Sequence, residues 1–193
     1  MNFKSDFDVY DELFNYVKKT AFRQSKEKIK LSSGLESNYY FDLRKITMSW
    51  YGSRLIGNVY GEKISLFSKI SDNKFDIGGM ETGAIPIIST LVNKFELNGF
   101  YVRKKPKEHG TKQAVEGVIS CKNVILVDDV VTTGSSINKC IHLLEKVIGL
   151  TVLMVAPILD RSDELGIDSS TLWSSDHKIE YSPIFKSTQY INM

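Results

Sequence analysis

Residues 124–136 read VILVDDVVTTGSS, and the order of residue types in that stretch decides how the rest of the chain is read. The apolar run Val124 to Val127 predicts a buried strand. Asp128 and Asp129 follow, and then Thr132, Thr133, Gly134, Ser135 and Ser136 make a small polar turn that opens a helical pattern. In an open parallel sheet, ligands gather beyond the carboxyl ends of the strands. A Gly/Ser/Thr turn at a helix start lets successive backbone N–H groups converge on one phosphate. Carboxylates repel phosphate, so Asp128 and Asp129 must face another part of the ligand. The vicinal hydroxyls of a ribose, or a Mg²⁺ ion, satisfy them. Ribose 5-phosphate carries both halves in one molecule. The plainer alternative is a strand ending in a polar turn with an Asp as helix N-cap, which two adjacent acids suit poorly. No Gly-Lys-Ser/Thr follows the strand and no GxGxxG is present, so neither a P-loop nor a dinucleotide fingerprint applies.

Working outward, the pattern alternates. Val9, Leu13, Phe14 and Val17 predict a helix over Val9 to Ala21, and a second helix is expected over Tyr51 to Ile70 despite Gly52, Gly57 and Gly61. Between them lies KIKLSSGLESNYYFDLRKITM, with strand-like ends and a Ser-Gly turn. Strands are expected at Phe75 to Gly78, Gly99 to Arg103, Val124 to Val127 and Thr151 to Leu159, with a further candidate at Lys178 to Tyr181. Helices are expected at Gly83 to Glu96 and Ser135 to Val147. Short apolar strands separated by helices predict an α/β fold with a parallel sheet covered on both faces.

A length of 193 residues suits one substantial α/β unit, and a net charge of +2 makes no case for general nucleic-acid binding. The acidic start MNFKSDFDVYDELF and the lack of a long apolar run argue against a signal peptide or membrane anchor. Cys121 and Cys140 have no metal-ligand spacing and read as small apolar fillers, so a cytoplasmic protein is expected.

Residues 101–113, YVRKKPKEHGTKQ, set Arg103, Lys104, Lys105, Lys107 and Lys112 against Glu108, with His109 among them. Pro106 and Gly110 bar regular helix and predict a mobile connection between two strands. Composition alone describes a solvated basic hairpin tip. Beside a ribose-phosphate site the same residues acquire a use. Displacing pyrophosphate from C1′ of ribose leaves several negative charges, which flexible cations can cover while excluding water from an oxocarbenium-like centre.

VILVDDVVTTGSS resembles the phosphoribosyl-pyrophosphate motif of type I phosphoribosyltransferases. RKKPKEHG followed by VEG resembles the lid of the orotate phosphoribosyltransferase family, whose Arg-Lys-x-x-Lys-x-His-Gly pattern is matched at Arg103, Lys104, Lys107, His109 and Gly110. GGMETGAIP at 78–86 is similar to that family's pyrophosphate loop, where Thr82 and Gly83 would offer backbone N–H groups. LSSGLESNYYFDLR at 31–44 is similar to its N-terminal hood, with Ser33, Gly34, Ser37, Tyr40 and Asp42 in matching places. Tight packing explains the first segment equally well and ordinary strand core the second.

The resemblance implies a type I phosphoribosyltransferase-like core over 46–193, its mostly parallel sheet flanked by helices, with a helix and small hood over 1–45. It implies transfer of phosphoribosyl from phosphoribosyl pyrophosphate to orotate, with Mg²⁺, in a homodimer whose lid reaches the partner's site. Lys104, Lys107, His109, Arg103 and Asp129 would be catalytic. Thr82, Gly83, Arg103, Lys104, Lys107, His109, Asp128, Asp129, Val130, Val131, Thr132, Thr133, Gly134, Ser135 and Ser136 would hold phosphoribosyl pyrophosphate. Tyr40, Phe41, Thr132 and Arg161 would hold orotate. Arg161 follows an apolar strand and can grip a carboxylate bidentately, although an ion pair with Asp160, Asp163 or Glu164 is the plainer reading. Ser32 stands where the family often has a basic residue, with Lys30 as a candidate substitute. Any direct metal ligation would fall to Asp128 and Asp129. Two rivals remain: a purine-type phosphoribosyltransferase, and a non-catalytic regulator sensing phosphoribosyl pyrophosphate. Base competition separates the first, and the intact basic lid argues against the second.

Overall fold

The computed structural model describes residues 6–31, 33–71, 74–105, 114–169, 172–173, 175 and 177–191. Helix α1 (Asp6–Thr20) leads into a hairpin of β1 (Phe22–Lys30) and β2 (Glu36–Phe41), then short α2 (Arg44–Thr47) and long α3 (Trp50–Ser71). The alternating part follows: β3 (Phe75–Gly78), α4 (Ala84–Phe95), β4 (Phe100–Val102), β5 (Val115–Gly117), β6 (Asn123–Val131), α5 (Ser135–His142) and β7 (Thr151–Asp160). Short β8 (Glu180–Tyr181), β9 (Phe185–Lys186) and α6 (Thr188–Ile191) close the chain.

Strand β6 is central and runs parallel to β3 on one side and β7 on the other. Beyond β3, the bridges Ile77–Gly99 and Met80–Val102 bring β4 alongside in parallel, while β8 and β9 pair with successive stretches of β7. Side chains of β6 alternate between two cores. Ile125 and Val127 join Leu13, Val59, Ile87 and Leu91 beneath α1, α3 and α4, whereas Val124 and Leu126 join Ile137, Cys140 and Leu144 beneath α5. A strand buried on both faces has no polar side, which is why VILV is an unbroken apolar run. Because Leu13, Val17 and Phe41 share the larger core, α1 and the hairpin are packed onto the sheet rather than set apart from it.

Several boundaries differ from expectation for physical reasons. Helix α1 starts at Asp6, three residues before the expected Val9. Strand β6 continues past Val127 because β7 keeps pairing with it as far as Val131 opposite Asp160. The acid pair therefore lies within the strand's last stretch, not in the loop after it. Strands β5 and β9 were not expected; at three and two residues they are too short to show a period. The helix expected over Ser135 to Val147 becomes a π-helical turn at Leu143–Ile148. The glycines of α3 serve close approach: a Cβ at Gly57 would lie 2.8 Å from Cδ of Lys94, and one at Gly61 2.9 Å from Cζ of Phe95, both on α4. Among the described residues no helix is long and apolar enough to cross a membrane.

Candidate active site

The extension of β6 carries Asp128 and Asp129 to the carboxyl edge of the sheet. Asp128 is 8% exposed, and its Oδ1 accepts the Asp129 N–H at 3.0 Å. The Asp129 Oδ1 accepts the Val130 N–H at 2.8 Å. Burial, and then the adjacent charge of Asp129, push the Asp128 carboxyl well above the usual carboxylate range, while the charge of Lys104 pulls it back. Val130 and Val131 send their side chains into the two cores, which leaves only their backbone for any ligand contact. Thr132 and Thr133 are half-buried, and Gly134 opens α5 with φ of +69°, a left-handed value that favours glycine. A Cβ there would also lie 2.8 Å from the Leu172 carbonyl oxygen. Ser135 and Ser136 are exposed on the first turn of α5, whose N–H groups lack intrahelical acceptors.

The loop after β3 abuts this edge. A Cβ at Gly83 would fall 2.3 Å from Oδ1 of Asp129, so the absent side chain is what admits the carboxylate. The Glu81–Thr82 peptide is cis, and Thr82 is exposed. Glu81 ties the loop to the base of the basic segment: its N–H donates to the Val102 carbonyl at 2.9 Å, and its Oε1 accepts the Lys104 N–H at 2.7 Å. Lys104 itself is exposed. Arg103 sits at the hairpin neck, its N–H donating to the Ala114 carbonyl at 2.8 Å and its Nη1 3.9 Å from Glu116 Oε1. The neck is thus β-paired through β4 and β5. Lys107, His109 and Gly110 lie outside the described residues, as does Ser32. Lys30 is exposed at the end of β1, in register with Glu36.

Arg161 follows β7 and is 3% exposed. Its Nε donates to Glu164 Oε2 at 3.0 Å and its Nη2 to Glu164 Oε1 at 2.7 Å. The same Nη2 lies 3.0 Å from both the Ser37 hydroxyl and the Tyr39 carbonyl of β2, and the guanidinium carbon stands 5.3 Å from the Phe41 ring centre. The hood and Arg161, more than a hundred residues apart in sequence, are therefore joined. The ion pair set against ligand binding is real, with Glu164 as partner, but it is buried rather than superficial. Phe41 is 7% exposed and also packs on Phe22 and Tyr190, so it belongs to the core. Tyr40 points to the opposite side of β2, in register with Arg23. Glu81 and Glu164 escaped assignment to the site. Only the three-residue spacing of Arg161 and Glu164 carried a signal.

The model of the phosphoribosyl transferase domain matches residues 59–180. The chain is 36% identical to the orotate phosphoribosyltransferase of Streptomyces coelicolor, over 82% of this chain and 86% of that one. It is 33% identical to the orotate phosphoribosyltransferase of Leptospira biflexa, over 89% of this chain and 96% of that one. Among solved structures it is similar to the Mycobacterium tuberculosis orotate phosphoribosyltransferase, with a TM-score of 0.66 and 26% identity, covering 94% of this chain and 98% of that one.

Proposed function

The chain belongs to the phosphoribosyltransferase family, and from that premise we propose that it transfers the phosphoribosyl group of phosphoribosyl pyrophosphate to orotate, a step of pyrimidine biosynthesis. The observation that carries this reading is the meeting of three segments at one sheet edge: Asp129 against Gly83, Lys104 against Glu81, and Gly134 opening α5. The bond from C1′ to the pyrophosphate oxygen breaks, and its electron pair leaves with pyrophosphate. N1 of orotate supplies the pair for the new C1′–N1 bond and gives up its proton to the departing pyrophosphate, leaving orotidine 5′-monophosphate.

The residues divide that work. The turn 132–136 holds the 5′-phosphate, and Asp128 with Asp129 holds the ribose hydroxyls. Thr82 and Gly83 offer N–H groups to the pyrophosphate, and Arg103, Lys104, Lys107 and His109 stabilise it as it leaves. Arg161, Thr132 and Phe41 orient orotate, whereas Tyr40, on the other face of β2, is set aside from the base. Two neighbouring carboxylates, one raised by burial and like charge, are a donor set that fits Mg²⁺, which takes one or two carboxylates plus substrate oxygens. When bound, Mg²⁺ would neutralise charge on the pyrophosphate and ribose oxygens. The reading extends to a cytoplasmic homodimer in which Lys107 and His109 reach the partner's site, with residues 1–45 as cover for the base.

The test is to mix protein, Mg²⁺ and phosphoribosyl pyrophosphate with orotate and, separately, with adenine and hypoxanthine. Loss of orotate absorbance is expected, with no nucleotide from the purines. Activity with a purine and none with orotate would overturn the reading.

A further inference from the structure

A guanidinium offers five N–H donors, and Arg161 has already committed one whole edge. Nε and Nη2 face the two oxygens of Glu164 at 3.0 and 2.7 Å, the parallel geometry in which Arg–carboxylate pairs are strongest. Nη2 is shared further with the Ser37 hydroxyl and the Tyr39 carbonyl of β2. Ser37 in turn donates its own proton to Glu164 Oε1 and accepts the Tyr39 N–H at 3.0 Å. Among the described residues only Nη1 has no hydrogen-bond partner. The Phe41 ring covers one face of the group.

We propose that Glu164 is a positioning residue for base recognition: with Ser37 it clamps the Nε/Nη2 edge of Arg161 against the hood, so that Nη1 alone is presented to the carboxylate of the base. The inference rests on Arg161 being the orotate-binding group, and it adds what holds that group and which of its atoms is used. A free arginine at a strand end samples many rotamers, and a ligand that must order it loses affinity in proportion. Here the order is built in beforehand, by an acid on the turn after β7 and a serine on a strand more than a hundred residues earlier. The clamp also pairs the guanidinium with one carboxylate, that of Glu164. Affinity for the base then depends on geometry, and a slight displacement of Nη1 is costly.

The test compares KM for orotate with KM for phosphoribosyl pyrophosphate in Glu164→Ala, Glu164→Gln, Ser37→Ala and Arg161→Ala. Glu164→Ala and Ser37→Ala should each raise orotate KM about tenfold, the factor lost with one charge-assisted hydrogen bond. The KM for phosphoribosyl pyrophosphate should stay within about twofold. Glu164→Gln keeps one acceptor and should fall between Glu164→Ala and wild type. Should Glu164→Ala fail to fold, Ser37→Ala, which leaves the ion pair intact, decides the matter alone. An unchanged orotate KM in Ser37→Ala, or an equal rise in both KM values, would overturn the clamp while Arg161→Ala still weakens orotate binding. If Arg161→Ala itself leaves orotate KM unchanged, the assignment of the base site fails, and the clamp with it.

Discussion

Asp128 near the end of β6 and Arg161 just past the end of β7 stand on neighbouring strands, at 8% and 3% exposure, and the fold treats their charges in opposite ways. Asp128 is buried beside another carboxylate, and both effects disfavour its ionised form. Arg161 is buried against an acid, a hydroxyl and a carbonyl that together accept its hydrogen bonds. On the proposed reading, the sugar-phosphate side thus holds repulsion that a cation or the charge of Lys104 can relieve, and the base side is ordered before any ligand arrives. Relief of charge at the first site favours a reaction in which charge develops, and prior order at the second favours discrimination between bases.

The contrast breaks most readily at Lys104. Its backbone is fixed to Glu81 while its charge acts on Asp128, so it belongs to the strained side. Lys104→Ala should lower turnover by about 10²-fold, as loss of one charge-stabilising donor does, with orotate KM little changed in steady-state kinetics. Wild-type turnover would remove Lys104 from the chemistry. Asp128→Asn sharpens the same point through stability. A carboxyl whose folded pKa is raised stabilises the fold below its unfolded pKa, and that contribution is lost as pH rises through the folded value. At neutral pH, with Mg²⁺ chelated, the Asn variant should therefore melt higher than wild type, by about 2–4 °C for each kcal/mol recovered, while turning over more slowly. A lower melting temperature would show that the acid pair is not strained.

The two sides also differ in how far the sequence disclosed them. Turn 132–136 and the acid pair lie within one short segment, and the residue types that mark it, from the apolar run to Gly134, follow one another in sequence. The same holds for the two-faced burial of β6. What escaped was set by contacts distant along the chain. The extra length of β6 comes from pairing with β7, the glycines of α3 answer to Lys94 and Phe95 on α4, and the fit of Gly83 depends on Asp129. Arg161 was legible as a candidate, but choosing among Asp160, Asp163 and Glu164 required knowing that Ser37 would stand beside the same carboxylate. Burial turned a pairing of ordinary surface type into a fixed part of the base side.

That pairing supplies the smallest effect, and it separates the two sides by sign. Burial alone would raise the Glu164 carboxyl; the hydrogen bonds from Arg161 and Ser37 and the Arg161 charge outweigh it and hold the group below its ordinary value of 4.5. A carboxyl with a lowered folded pKa contributes stability that is complete above its unfolded pKa and is lost as pH falls through the folded one. The window therefore lies below pH 4.5, opposite in slope to the effect of Asp128. Urea unfolding of wild type and Glu164→Gln at pH 7 and again near pH 4 measures it. Wild type should be the more stable at pH 7, and the gap should begin to narrow at the lower pH, by up to about 1 kcal/mol because the carboxylate keeps some solvent access. The order matters because Asp128→Asn should shift stability the other way across acid pH, gaining least where Asp128 is protonated. A gap that stayed constant with pH would mean that Glu164 holds Arg161 by shape alone, and that the base side is ordered by packing rather than by matched charge.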